Sequence, residues 1–104
     1  MDVFDELEVV MSLDDPNASY DFDTFVVWRH KKTGELYYGQ DSGCSCPSPF
    51  ERISRIEELS RLGDLPSFER ELEAWADRYF DAQAISDVID KIRVVFLYKT
   101  MMIL

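Results

Sequence analysis

The chain has little with which to make or break covalent bonds. In 104 residues there are one histidine, two cysteines and four glycines. The glycines, at 34, 39, 43 and 63, are too scattered for either common Gly-rich nucleotide fingerprint, which excludes those ways of cradling a phosphate. No apolar run approaches the ~18 residues that a membrane span needs, and even Val94 to Tyr98 gives way to Lys99 and Thr100. No basic stretch followed by an apolar one opens the chain. The expectation is therefore a cytoplasmic protein with no membrane partner. Bases are also few: 11 Lys and Arg against 21 Asp and Glu leave a formal charge of −10. Because nucleic-acid binding is driven by cations that displace condensed counterions from phosphates, direct binding to DNA or RNA is excluded. Cys44 and Cys46 stand one residue apart. A bridge between them would close a loop too short to constrain the unfolded chain, so a secreted disulfide scaffold is not expected and the thiols are read as reduced.

What is present is core material. Hydrophobic residues make up 46% of the chain and include seven Phe, five Tyr and two Trp, enough to argue against disorder over the whole length. A chain of this size should bury roughly two-thirds of the surface its unfolded form exposes, which suffices for one core. Residues 1–104 are accordingly read as a single domain: an acidic segment 1–19, a hairpin with its cysteine loop over 20–51, and a helical part over 52–104. The charge is uneven. Residues 1–23 hold eight acids and no base, whereas 24–40 carry three bases against one acid.

Along the chain, Val3 to Leu13 has apolar residues at both helical and strand spacing, and either element fits. Asp14, Asp15, Pro16 and Asn17 end it as turn formers. Residues 20–30 are rich in aromatic and β-branched side chains, Lys32-Thr33-Gly34 supplies a turn, and 35–40 return, which predicts a β-hairpin over 24–40. Residues 41–50, with Gly43, Pro47 and Pro49, read as a loop. Ser54 followed by Glu57 fits a capping box and Gly63 a helix stop, predicting a helix over 55–62. Phe68, Leu72, Trp75 and Tyr79 predict a second over 67–80. Ile85, Val88, Ile89, Ile92, Val95 and Phe96 predict a third over 84–98, opening near Asp81 or Ser86. The fold class expected is α+β: a small antiparallel sheet built on the central hairpin and packed against two to three helices.

Reactive side chains gather only around Cys44. A closed zinc site needs four ligands, so Cys44 and Cys46 would have to recruit His30 and Asp41. The Cys-x-Cys spacing differs from that of zinc knuckles and there is no second pair, so no metal or cofactor is expected. A nucleophilic thiol would need His30 as its base. Beside Arg29, Lys31 and Lys32, however, His30 reads as a solvated residue in a small basic cluster, and no catalytic residue is assigned. Two surfaces remain for binding. One is the loop Asp41, Ser42, Gly43, Cys44, Ser45, Cys46 and Pro47. The other is the acidic segment with Asp2, Asp5, Glu6 and Glu8, whose carboxylates could imitate a row of phosphates before a DNA-binding partner. The apolar end Met101-Met102-Ile103-Leu104 allows a homodimer.

The run Asp41-Ser42-Gly43-Cys44-Ser45-Cys46-Pro47-Ser48-Pro49-Phe50-Glu51, within Tyr20 to Glu51, resembles a family of small uncharacterised proteins encoded by bacteriophages of actinobacteria. In that family an aromatic hairpin leads into the same loop and then into helices. The resemblance covers about a third of the chain. It implies a phage gene product made in the host cytoplasm, and it implies no activity. The functional expectation is a non-enzymatic accessory protein that binds a host protein. Two alternatives are a metal or thiol site at Cys44 and Cys46, and an acidic DNA mimic.

Overall fold

The computed structural model describes residues 2–17, 20–44 and 48–103, with side chains to Tyr98. The class is α+β, and the chain divides into two compact units, residues 1–62 and 63–104.

The first unit is a four-stranded antiparallel sheet in the order β1-β2-β3-β4. β1 spans Leu7–Asp14, β2 Asp21–His30, β3 Leu36–Cys44 and β4 Ser60–Arg61. A 3-10 turn, Val3–Glu6, precedes β1, so the ambiguous N-terminal segment resolves into a turn and a strand. The β1–β2 register shifts between Val9 and Met11, which marks Val10 as a bulge. β2 is the centre of the sheet, and five successive residues, Thr24 to Trp28, are buried. Alternation sends Phe25 and Val27 to one face and Val26 and Trp28 to the other, so both faces of this strand are covered. On the second face Trp28 meets Phe50 edge-on at 4.9 Å between centroids, and Phe4 stands 5.3 Å away. Leu7 and Leu59 complete that cluster. On the first face Phe25 stacks on Tyr38. Each such aromatic pair adds ~0.5–1.5 kcal/mol beyond its buried area. Among the described residues the only buried polar one is Thr24, whose Oγ1 donates to the carbonyl of Leu13 at 3.0 Å.

The hairpin is longer than 24–40, because pairing continues from Arg29↔Leu36 to Asp21↔Cys44. Its turn needs Gly34, which adopts φ 75°, a conformation costly to any residue with a Cβ. The predicted helix over 55–62 is not formed. Ile56–Glu58 make one 3-10 turn, and Ser60–Arg61 then pair with Tyr38 and Tyr37 of β3. Two facts explain the override. The partner of Ser54 is Glu58, which accepts from both its amide and its hydroxyl, and Arg55 sits at the cap position without a side-chain bond. Leu59 and Leu62 are buried by running extended, with the Leu62 amide bonded to the Leu36 carbonyl. Strand pairing thus outweighs a weak local helix signal, and Gly63 is no left-handed stop. The helical part therefore begins at Leu65, not at 52.

The second unit holds α1, Leu65–Ala76, and α2, Ala82–Ile103. The Asp64 carboxylate caps α1 through the Ser67 amide, Pro66 occupies the first turn, and Phe68, Leu72, Trp75 and Ala76 are buried on one side. Asp81, one of the two expected starts, accepts from the Ala84 amide at 2.8 Å and opens α2. Ile85, Ile89 and Ile92 form its buried stripe. Arg93 of α2 reaches both carboxylate oxygens of Glu69 on α1, at 2.7 and 3.2 Å. α2 runs past 98 to Ile103. Side chains beyond Tyr98, and Leu104 altogether, lie outside the described residues. Among the described residues no helix is long and apolar enough to cross a membrane.

Candidate functional site

The stretch expected to be a loop from Asp41 is strand as far as Cys44, since β2 begins early enough, at Asp21, to keep β3 paired. Asp41, Ser42, Gly43 and Cys44 thus belong to the sheet; Ser45, Cys46 and Pro47 lie outside the described residues. The Asp41 carboxylate acts as a clasp. Oδ2 accepts from the Phe50 amide at 2.8 Å, Oδ1 accepts from the Ser42 amide at 3.0 Å, and Arg52 stands 3.6 Å from Oδ1. This bond holds Phe50 at φ 64°, a conformation that non-glycine residues seldom adopt, and delivers its ring into the Trp28 cluster. The sheet makes room for it at Gly39, where a Cβ would stand 3.1 Å from the Phe50 ring.

His30 is not the solvated member of a basic cluster. Its side chain is only 12% exposed, and Nδ1 accepts from the amides of Lys32 and Thr33 at 3.1 and 3.2 Å. These two donors assign the proton of a neutral ring to Nε2, which lies 3.7 Å from Glu6. Two of the neighbouring cations are engaged as well: Arg29 with Glu8, and Lys31 with the carbonyl of Asp5 at 2.9 Å. The imidazole and the Cys44 thiol do not meet. Cys44 pairs with Asp21, nine positions along β2 from His30, a separation of roughly 30 Å at the usual strand rise. A ligand set combining Cys44 with His30, or a Cys44 thiolate activated by His30, is therefore ruled out by register. Among the described residues no group of three or more His, Cys, Asp or Glu side chains is placed to hold a metal ion.

Nor do the N-terminal acids form an unengaged row. Asp2 caps the first turn through the Phe4 amide at 3.1 Å, Glu8 pairs with Arg29, and Glu6 faces His30. Asp5 is exposed.

Concave apolar surface lies elsewhere, on the Trp28 face of the sheet. A groove of about 350 Å³ is lined by Trp28, Phe4 and Phe50, with Val9, Ser12 and Asp14 of β1 along its outer side. Val9 is 60% exposed, large for an apolar strand residue. Sequence reasoning missed this groove because its aromatic walls come from three separate stretches that only strand pairing and the Asp41 clasp bring together. Nor did alternation mark it: Val9 shares a face with Ser12 and Asp14 only because the bulge at Val10 shifts the strand's parity, so the sequence carried no signal for this wall.

A family model described as a domain of unknown function, DUF7574, matches residues 2–98. No curated protein and no solved structure matches the chain.

Proposed function

The chain belongs to the DUF7574 family, and we propose that it is a non-enzymatic protein-binding module whose contact surface is the aromatic groove on the Trp28 face. The observation that carries this reading is the groove itself, a concave surface with tryptophan and two phenylalanines in its walls beside an exposed valine. Aromatic side chains in a partly desolvated hollow are what protein interfaces use as anchors. The engagement of Asp41 and of His30 Nδ1 in holding their own backbone favours binding over proton transfer. The resemblance of residues 41–51 to small actinobacteriophage proteins supports the setting: an accessory protein that acts on a host protein in the host cytoplasm.

The test is a differential capture. Wild-type chain and a Val9→Lys variant, which alters the groove at an exposed position, are used as baits in actinobacterial lysate at low salt, and bound proteins are quantified by mass spectrometry. A protein enriched on the wild type and depleted at least tenfold on the variant is expected. Identical recovery on both baits overturns the groove as the contact surface.

A further inference from the structure

Deepening the binding reading, and resting on it, we propose that the groove's occupant is a basic, extended peptide segment of another protein, added as a strand to the outer edge of β1 with a bulky apolar side chain seated against Trp28. The strand order puts β1 at the end of the sheet, paired with β2 alone among the described residues. Its eight residues are long enough to template another strand, since an edge strand presents a row of backbone donors and acceptors. Val9, Ser12 and Asp14, which line the groove, lie along this same edge strand. A strand docked ~4.8 Å outside β1 would point alternate side chains over that face. Trp28 then lies two strands in, on the order of 10 Å away, so only a long or aromatic side chain reaches it.

The charge of the edge selects the partner. Residues 1–23 contain eight acids and no base, and the two cations that approach β1 from β2 and its turn, Arg29 and Lys31, are already bound to Glu8 and to the Asp5 carbonyl. Asp2, Asp5 and Glu6 lie before β1, with Asp14 at its end and Asp15 just beyond. A segment with Lys or Arg flanking its apolar anchor complements both ends. The same argument disfavours a second copy on this edge. Antiparallel β1–β1 pairing would bring the Asp14–Asp15 end of each copy to the Asp2–Glu6 end of the other, with no base in either segment, and parallel pairing would align like with like.

The probe is an end-capped octapeptide of alternating Lys and Phe, with two controls: Glu in place of Lys, and Pro at alternate positions to remove strand hydrogen bonds. Binding to the intact chain is followed by heteronuclear NMR and amide exchange. The expected result is tight binding of the Lys peptide alone, slowed exchange within 7–14, at least tenfold weaker binding on raising salt from ~50 to ~300 mM, and a similar loss in Val9→Lys. Equal binding of the Glu peptide, equal binding of the proline peptide, or a doubled molar mass without peptide overturns the proposal. If lysate capture still yields a Val9-sensitive partner when the Lys peptide fails, this inference falls and the binding-module reading stands. If both fail, both fall.

Discussion

In the helical unit the side-chain ties that start each helix are local, Asp64 to Ser67 and Asp81 to Ala84, and the longer tie from Arg93 to Glu69 only joins the two helices once formed. In the sheet unit the ties run between residues far apart in sequence, as in Arg29 with Glu8, Lys31 with Asp5, and Trp28 with Phe50 and Phe4. Short-range ties let a helix form before its partner is in place, whereas a sheet must close long loops before its contacts stabilise anything. The sheet unit should therefore depend on a few central side chains, while the loss of one surface tie in the helical pair should stay local.

The widest gap between the two regions should come from Trp28→Ala. Removing a buried tryptophan from a packed cluster costs ~3–5 kcal/mol, a large share of a small protein's stability, and here it also strips Phe4 and Phe50 of their common partner. Denaturant unfolding followed by amide exchange should show β1, β2 and β3 losing protection. Arg93→Ala, which removes the two-pronged pair between a half-exposed arginine and the more covered Glu69, should lower the midpoint far less than Trp28→Ala does. Similar effects from the two variants would break the comparison.

A smaller effect is expected at the clasp. Asp41→Ala leaves the Phe50 amide without its acceptor and frees a backbone held at positive φ, for a cost of about 1–3 kcal/mol. Asp41→Asn keeps one accepting oxygen and should recover part of it. The ordering Ala worse than Asn, measured by thermal unfolding, separates a hydrogen-bonding role from a charge role, because Arg52 is 90% exposed and gains little from the ion pair. At the other end of the hairpin, His30→Ala removes the acceptor for two turn amides and should cost ~1 kcal/mol. Combined with Gly34→Ala it should cost less than the sum, because both variants loosen one turn.

The same contrast explains what could be read from the sequence. The helix expected over 67–80 was legible because its signals are local, a capping aspartate, a proline in the first turn, and Phe68, Leu72 and Trp75 at helical spacing, although it ends at Ala76 and leaves Tyr79 in the turn that follows. The hairpin was legible for a similar reason, with a glycine turn between aromatic strands. Residues 55–62 misled because their local pattern is weakly helical while their burial is decided by β3, some twenty residues earlier. His30 misled because its neighbours in sequence are basic, although its bonding partners are the two turn amides that follow it. The groove lies furthest from local pattern, since Phe4, Trp28 and Phe50 share no periodicity. The contribution of Asp41 to it passes through a backbone amide that composition cannot reveal.

The smallest effect expected tests the local side of the comparison. The Ser67 hydroxyl and amide hold the Asp64 carboxyl below the ordinary carboxylate range, so the folded helix favours the charged form of its cap. A group whose folded value is depressed stabilises fully above its unfolded value and loses that contribution as pH falls through the folded one. Arg93 is shifted the other way by Glu69, upward, and stays protonated throughout the acid range. It therefore adds no acid-side loss of its own. Asp64→Asn keeps a competent cap that cannot titrate. Helix melting followed by circular dichroism should find the wild type ahead near neutral pH and the gap closing as pH falls through and below the ordinary carboxylate range. Because Asp64 is exposed, the gap should be slight and should narrow further in salt. A gap that held constant across the whole range would mean that α1 takes its stability from its buried face alone, and that its cap is no more decisive than any surface residue of the sheet.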